Sequence, residues 1–288
     1  MGSTVDLHIH TDASDGTDTP EELLWNIQKA GINVFAITDH DTIKGAMKMK
    51  RIIPPGIKFI QGIEFSCRTD GGIKCHILGL NYNEHNPDFQ EALRTGDILR
   101  HQKFDLRIKL LREQFGITFS DGEISSLRKV PSVGKPHIAN MIVMKGLADS
   151  RNEAIDRYIN KCKTGNSRID ASLAVKGILS SGGIPVWAHP LGGEGERELP
   201  EQDFRRALGE LMSYGLKGLE CWYSKYDVAT CRKLADTAER SGLCVSGGSD
   251  YHGTNKSIPL GKLNSDGESI SQAQLSILLK NVGGDITL

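Results

Sequence analysis

Short apolar runs with the length of β-strands recur along the chain, and helical patterns separate them. Residues 5–10 alternate between apolar and polar side chains, so His8 and His10 lie on one face of a predicted strand. A helix is predicted over residues 20–30, because a Thr-Pro-Glu-Glu capping pattern precedes its apolar stripe and Gly31 follows it. Strands that alternate with helices are typical of a parallel sheet covered by helices.

The alternation continues to the end of the chain. Further strands are predicted at 34–37, 58–63, 75–80, 184–187, 218–222 and 244–248. Further helices are predicted at 42–51, 171–181, 201–214 and 227–241. Because polar residues accompany so many strands, we predict a barrel of parallel strands with its site at the rim formed by their C-terminal ends. An open doubly wound sheet is the alternative, but its crevice would not gather residues from six strands.

The segment 84–166 departs from this rhythm. Helical patterns cover 88–115, 121–127, 137–145 and 152–162, and no run between them has the character of a barrel strand. We therefore predict that residues 1–83 and 167–288 form an α/β catalytic barrel and that 84–166 form a helical insert over the active site. Ordinary outer helices of the barrel are the alternative for this segment.

Composition excludes some classes of protein. The 288 residues carry a net charge of −1, so there is no general basic field, and no stable complex with nucleic acid is expected. No apolar run reaches the roughly 20 residues of a membrane span, and no signal peptide is visible. The six cysteines form no C-x-x-C pair and are expected to be reduced, buried thiols of a cytoplasmic protein.

Histidine and carboxylate residues cluster at the ends of the strand-like runs. The candidate metal ligands are His8, His10, Asp15, His40, Glu64, His76, His189, Asp250 and His252. Nine ligands exceed what one ion takes, so we predict two or three divalent ions of Mn, Fe or Zn, with Glu64 suited to bridging two of them. Such ions supply a metal-bound hydroxide and clamp an anionic substrate, which favours hydrolysis of a phosphate ester.

Six motifs resemble those of the PHP (polymerase and histidinol phosphatase) family of metal-dependent phosphoesterases. They are DLHIHTDASDG, AITDHDT, GIEFS, HILGL, AHP and GGSDYHG. The resemblance implies a distorted (β/α)7 TIM-like barrel with a trinuclear site, for which we favour manganese. It implies one ion on His8, His10, Glu64 and Asp250, a second on Glu64, His76 and His189, and a third on Asp15, His40 and His252.

The layout most resembles the stand-alone bacterial members that act on nucleotides or nucleoside bisphosphates. Those members carry an R-P-H-x-A-R motif in the insert. This chain keeps the histidine as His137, but it has Lys135 in place of the first arginine and Asn140 in place of the second. Lys135, His137 and Arg168 are candidate substrate contacts, although a lysine cannot grip phosphate with two parallel bonds as arginine does. A structural role within the insert is the alternative for His137.

Two further sets of charged residues have alternative interpretations. Asp39 and Asp41 flank His40 and are predicted to orient ligand imidazoles by accepting hydrogen bonds from them, while capping of the next helix is the alternative for Asp41. Arg100, Lys103 and Arg107 share one face of a predicted helix. That face is either a track for an oligonucleotide backbone or an ordinary solvated surface.

These features together predict an enzyme. We expect metal-dependent hydrolysis of phosphate monoesters of small nucleotides, such as a nucleoside 3′,5′-bisphosphate or AMP, so the partner is a small phosphorylated substrate. The alternatives are a 5′→3′ exonuclease on short RNA or DNA, a histidinol-phosphate phosphatase, and a metal-binding module without catalysis. No motif specifies an oligomeric state.

Overall fold

The computed structural model describes residues 3–194 and 197–279. In these ranges, strands β1 to β8 span Val5–Asp6, Val34–Ile37, Lys58–Arg68, Lys74–Leu80, Ile169–Asp170, Ile184–Ala188, Gly218–Tyr223 and Cys244–Gly248. Helices α1 to α9 span Pro20–Ala30, Lys44–Ile52, Pro87–Phe115, Asp121–Arg128, Lys135–Met144, Arg151–Arg157, Ala171–Ser180, Glu201–Tyr214 and Val228–Arg240. The predicted helices and strands are all present, but β1 is shorter than the predicted strand over 5–10 and β3 extends five residues past its predicted end. The helix predicted over 152–162 ends at Arg157 and is followed by a short 3-10 turn at Ile159–Lys161. Strand β5 is short, and the sequence pattern did not predict it.

Seven strands form a nearly closed barrel. They are hydrogen-bonded in the order β1, β2, β3, β4, β6, β7 and β8, and β5 pairs beside β3. The first and last strands meet, because the Leu7 amide donates to the Gly247 carbonyl (3.2 Å) and the Asp250 amide donates to the His8 carbonyl (2.9 Å). The predicted distorted barrel of the TIM type is therefore confirmed.

Strand β4 runs antiparallel to both of its neighbours, so the prediction that all barrel strands are parallel was wrong here. Only residues 69–73 separate β3 from β4, whereas a parallel crossover needs about a dozen residues or more. The reversal brings the start of β4 to the rim where the other strands end. His76, the third residue of β4, consequently reaches the same rim as the residues that follow the parallel strands.

Helix ends follow the predicted local chemistry in most places. Thr19 caps α1, since its hydroxyl accepts from the Glu22 amide and the Glu22 carboxylate accepts from the Thr19 amide. Helix α2 begins after Ile43 without a side-chain cap, so the capping role considered for Asp41 was wrong. The left-handed backbone of Asp41 (φ 50°) directs its carboxylate elsewhere, as described below.

Helices α3 to α6 have a hydrophobic cluster of their own. Its buried members include Phe104, Leu111, Leu127, Ile138, Ile142 and Ala154. The N-terminal half of α3 packs on α7 instead, where a Cβ at Gly177 would lie 2.9 Å from the Asp88 carbonyl oxygen. The separate cluster supports a helical insert that is joined to the barrel through α3, and its boundaries at 84 and 166 stay a prediction. None of the described helices has the length and hydropathy needed to cross a bilayer.

Candidate metal centre

All nine predicted ligands lie at one rim of the barrel. His8 and His10 follow β1, Asp15 lies in the next loop, His40 follows β2, Glu64 and His76 lie in β3 and β4, His189 follows β6, and Asp250 and His252 follow β8. The side chains are buried or nearly so, and His8, His10 and Glu64 are completely shielded from solvent. A set of imidazoles and carboxylates gathered from so many strands is a functional arrangement rather than ordinary packing.

Glu64 lies at the centre of this cluster. One carboxylate oxygen, Oε2, is 2.9 Å from His40 Nδ1 and 3.2 Å from His10 Nε2. The other, Oε1, is 2.9 Å from His76 Nδ1 and 3.2 Å from His189 Nε2. Each oxygen therefore faces a different pair of imidazoles, which is the geometry that a bridging carboxylate needs.

Two more carboxylates complete the cluster. Asp250 Oδ1 lies 3.4 Å from His10 Nε2 and 3.6 Å from His8 Nε2. Asp15 Oδ1 lies 3.3 Å from His252 Nε2. Three sets of ligand atoms are close enough to share an ion: His10, Asp15, His40 and His252; His8, His10 and Glu64; and His40, Glu64 and His76.

Several lone pairs converge at the centre of the cluster. His8 Nδ1 is 2.9 Å from a carboxylate oxygen of Glu220, so we assign its proton there, and this leaves Nε2 bare 3.1 Å from His10 Nε2. Asp15 Oδ1 and Glu64 Oε2 are buried without a hydrogen-bond partner among the described residues. Buried lone pairs cost free energy unless something satisfies them, and divalent cations satisfy this set.

The charge states of the cluster also suit a cation. Burial alone would raise the pKa of Glu64, but the neighbouring imidazoles hold that pKa well below its usual value. The pKa of Asp250 is likewise held low against its burial, because Lys256 Nζ lies 2.6 Å from its Oδ2. Burial lowers the pKa of His40 to about 4, so this imidazole is neutral and able to ligate. The carboxylates stay charged and available to cations.

Backbone strain is concentrated at the same rim. Four described residues other than glycine have a positive φ, and three of them lie at this rim: His189 (29°), Asp41 (50°) and Asp250 (60°). The fourth, Asn81 (55°), follows β4 away from the rim. Such left-handed conformations cost roughly 1–3 kcal/mol each, and they persist only where surrounding contacts hold them. Strained residues next to convergent ligands are a second mark of a functional site.

Asp39 and Asp41 act on the site less directly than predicted. Asp39 accepts hydrogen bonds from Thr11 and from Ser14 Oγ (2.6 Å), and the Ser14 hydroxyl in turn lies 3.4 Å from His10 Nδ1. Asp41 accepts from the Ser66 amide and from a guanidinium of α3. Neither carboxylate makes a hydrogen bond to an imidazole in the described network, because Asp39 faces the loop after β1 and Asp41 faces β3 and α3.

The candidate substrate contacts occupy different environments. His137 is partly buried and accepts a hydrogen bond from the Gly134 amide, and a Cβ at Gly134 would lie 3.5 Å from Asp15. Lys135 is exposed and donates to Asn160 (2.7 Å). Arg168 is partly buried and donates to the carbonyl of Cys75, next to His76. His137 and Arg168 thus lie on two sides of the cluster, while a substrate role for any of the three stays a prediction.

The basic face of α3 is not a solvated surface, which corrects one interpretation considered from the sequence. Arg107 is 6% exposed, and its Nε has no hydrogen-bond partner within the described residues. Burial, together with the positive charges of the neighbouring arginines, lowers the pKa of Lys103 to about 7. Arg100 donates to Asp41 and to Ser66 Oγ (2.9 Å). The face points into the protein beside the metal ligands.

Three residues at the rim were missed by sequence reasoning. Glu220 and Tyr223 come from β7, and Lys256 follows β8. Tyr223 donates to Asp250 Oδ2 (3.0 Å), the same oxygen that Lys256 contacts. Of the three, Glu220 could have been found from the sequence. It is a carboxylate inside an apolar strand-like run, and a buried charge needs a specific partner.

Residues 6–168 match the PHP domain family. A 5′-3′ exoribonuclease of Haemophilus influenzae is 30% identical over 276 residues, which cover 91% of this chain and 94% of that protein. The chain therefore belongs to the PHP domain family, as its motifs predicted.

Other relatives have different named activities. A 3′,5′-nucleoside bisphosphate phosphatase of Chromobacterium violaceum is 28% identical, over 87% of each chain. A phosphoribosyl 1,2-cyclic phosphate 1,2-diphosphodiesterase of Eggerthella lenta is also 28% identical, over 88% of this chain and 96% of that protein. The solved structure of a Bifidobacterium adolescentis protein, assigned to the metal-dependent phosphoesterases, matches 98% of this chain with a TM-score of 0.80 and 26% identity. The chain is a metal-dependent phosphoesterase, as predicted.

Proposed function

We propose that the chain hydrolyses a phosphate monoester of a small nucleotide that carries a second phosphate, with a nucleoside 3′,5′-bisphosphate as the leading substrate. Two or three divalent ions, with manganese favoured, would be held by the nine residues at the rim. A cytoplasmic location is part of the proposal, and the six free thiols support it.

The observation that carries this proposal is the buried basic group beside the cluster. It consists of Arg100, Lys103, Arg107 and Arg168. It begins next to the metal ligands, because Arg100 contacts Ser66, which lies directly opposite His76 in the β3–β4 pair. Asp41 is the one carboxylate bound to this group in the described residues. Partly desolvated cations in excess of their anions favour a multiply charged ligand, and a second phosphate supplies that charge.

The chain's own residues would divide the work. Ions bound here would supply water activation and neutralise charge on the reacting phosphoryl group. Glu64 faces both pairs of imidazoles and would hold two ions at a fixed separation. His137, whose pKa responds to the charges of both Asp15 and Arg100, would contact the reacting phosphate or the leaving group. The basic group would bind the remote phosphate and so orient the ester.

A 5′→3′ exonuclease is the second candidate. The named activity of the Haemophilus influenzae relative favours it, and so does the spacing of the cations along α3. The burial of Arg107 argues for the bisphosphate, because a guanidinium shielded from solvent suits one terminal phosphate better than a continuous backbone. Both candidates use the same metal centre.

Release of phosphate from a panel of substrates tests the proposal. Adenosine 3′,5′-bisphosphate, AMP, histidinol phosphate and a 5′-phosphorylated RNA tetramer would be compared with Mn²⁺ and after chelation. We expect chelator-sensitive turnover that is fastest on the bisphosphate. Preference for the tetramer would replace the proposal with the exonuclease, and preference for histidinol phosphate would overturn the nucleotide class altogether.

A variant sharpens this comparison. Arg107→Met should lower kcat/KM for the bisphosphate by about tenfold or more, since a charged hydrogen bond is lost. The effect on AMP, which has no second phosphate, should be much smaller. Arg94→Met, on an exposed position of the same helix, is the matched control. Equal losses on both substrates would contradict a site for a remote phosphate.

A further inference from the structure

We propose that Glu220 is a positioning residue of the metal centre, which sets the geometry of two ligands through its two carboxylate oxygens. The inference rests on the proposed metal centre but not on the identity of the phosphoester. No sequence motif pointed to this residue, and its role follows from three independent features of β7 and the loops around it.

The first feature is the pair of contacts that Glu220 makes. Oε1 lies 2.9 Å from His8 Nδ1, and Oε2 accepts a hydrogen bond of 2.7 Å from the backbone amide of His189. The first contact fixes which nitrogen of His8 carries the proton and turns Nε2 toward Glu64 (3.4 Å). The second contact holds the backbone of another candidate ligand. One carboxylate thus acts on ligands that follow two different strands, β1 and β6.

The second feature is backbone strain at His189. Its φ of 29° is a conformation that non-glycine residues avoid, and it persists only under external constraint. The hydrogen bond from the His189 amide to Glu220 is such a constraint, because it fixes the direction of the peptide that enters the turn. Without that acceptor, the backbone of the turn would relax to a less strained conformation. The relaxation would move the His189 imidazole away from Glu64.

The third feature is a β-bulge in β7. The pairing register with β8 shifts between Glu220 and Trp222. In a regular strand, residues three apart point to opposite faces, yet Glu220 contacts His8 and Tyr223 contacts Asp250 at the same rim. The bulge lets both side chains reach the centre, and bulges commonly re-aim side chains next to active sites.

The environment of Glu220 argues against a purely structural role. The residue is 0% exposed, and no lysine or arginine of the described ranges forms an ion pair with it. A buried carboxylate without a cation costs stability, and an apolar or amide side chain would pack at lower cost. Its charge is useful here because it strengthens the imidazole that donates to it and balances cations bound nearby.

The Glu220→Gln variant tests this proposal closely. Glutamine replaces one of the two carboxylate oxygens with an NH2 group, which cannot accept, so the contact to either His8 or the His189 amide is lost. We expect the dissociation constant for Mn²⁺, measured by competition with a chelator, to rise roughly 10- to 100-fold. Glu239→Gln, at an exposed position of α9, is the matched control. A dissociation constant within twofold of that control would overturn the proposal.

A spectroscopic measurement on the unmodified chain gives a second test that needs no variant. With the protein loaded with diamagnetic Zn²⁺, nitrogen-15 NMR should show His8 with its proton on Nδ1, in a hydrogen bond protected from exchange. A proton on Nε2 would overturn the assigned role of Glu220. Neither measurement involves turnover, so the absence of hydrolysis on every substrate would refute the proposed function and leave this inference standing.

Discussion

The guanidinium of Arg100 lies 2.6 Å from Oδ2 of Asp41 and joins the longest helix of the insert to the residue that follows His40. Asp41 is further tied to β3, because its amide donates to the Glu64 carbonyl and its carboxylate accepts from the Ser66 amide. Burial would raise the pKa of Asp41, but Arg100 keeps it below its usual value. A single buried ion pair therefore connects the insert, the loop after β2 and the central strand of the metal centre.

Loss of this ion pair should affect both stability and substrate binding. Arg100→Met leaves the Asp41 carboxylate buried without its partner, which should lower the free energy of unfolding by about 3 kcal/mol. It also removes one cation from the proposed remote-phosphate site, so KM for the bisphosphate should rise at least about tenfold. Denaturant unfolding and steady-state kinetics measure the two effects separately.

Controls separate the ion pair from simple loss of packing. Arg94→Met changes an exposed arginine of the same helix and should leave both quantities unchanged. Adding Asp41→Asn to Arg100→Met should restore part of the lost stability, because the uncompensated charge is gone. If Asp41→Asn added a further loss of the same size, the two side chains would be acting independently and the ion pair would not be the cause.

Anion binding at the basic group should strengthen as the pH falls from 8 to 6. The pKa of Lys103 is about 7, so its ammonium is only partly formed at neutral pH and is fully formed below it. Sulfate keeps its charge over this range. The constant for inhibition of bisphosphate hydrolysis by sulfate should therefore decrease as the pH falls. Lys103→Met should remove the pH dependence. If the sulfate inhibition constant changed equally with pH in Lys103→Met and in the unmodified chain, another group would be responsible for the titration.

The same lysine makes a contribution to stability with a definite sign. Its folded pKa lies below the usual value near 10.5, so the unfolded chain binds more protons between pH 7 and 10.5. The contribution of Lys103 to the free energy of unfolding therefore increases with pH across that window. Below pH 7 the buried ammonium destabilises the folded chain to its full extent. Denaturant unfolding of Lys103→Met should show a smaller rise between pH 7 and 9 than the unmodified chain shows.

Much of the site could be predicted from local sequence, because ligands near strand ends reveal themselves by their residue type. His8 and His10 share a face through strand periodicity alone, and the structure brings both to Glu64. The direction of β4 was not predictable in the same way, since an apolar run such as Cys75–Leu80 reads identically in either direction. The connection is short only because β3 continues to Arg68, and the sequence pattern did not indicate that extension.

The environment of polar residues was harder to predict than their presence. Lys103 and Arg107 have the helical spacing of a solvated stripe, and only the tertiary packing of α3 buries them. Glu220 depends on a bulge that shifts β7 by one residue relative to β8, and no local pattern indicated that shift. Both features arise from contacts between segments that are distant in the chain.

Metal binding should release protons and so weaken as the pH falls. Burial opposes protonation of His10, but Asp250 and Glu64 outweigh it and raise the pKa to about 9, so protons compete with a cation for this ligand. As the pH rises from 6 to 9, the apparent dissociation constant for Mn²⁺ should decrease by up to about tenfold per pH unit if one proton is released on binding. Titration calorimetry in two buffers with different ionisation enthalpies counts the protons. An affinity that is independent of pH would refute this competition.

The contact that closes the barrel should require glycine at position 248. A Cβ there would lie 2.2 Å from His8 Cβ and 2.6 Å from the His8 backbone nitrogen, so β8 and the end of β1 would have to separate. We expect Gly248→Ala to lower the free energy of unfolding by about 3 kcal/mol or more and to weaken Mn²⁺ binding, because overpacking here moves backbone as well as side chains.

Gly209 provides the control for this prediction. It lies within α8, and a Cβ there would have no neighbour within 4 Å, so Gly209→Ala should stabilise the protein by roughly 0.5–1 kcal/mol through helix propensity. The two alanine substitutions should thus have effects of opposite sign on the free energy of unfolding. If both variants unfolded at the same denaturant concentration as the unmodified chain, the close approach of β8 to His8 would not be a constraint on the fold. A different outcome is weaker Mn²⁺ binding in Gly248→Ala, but not in Gly209→Ala, with an unchanged free energy of unfolding. Gly248 would then serve the metal centre rather than the closure of the barrel.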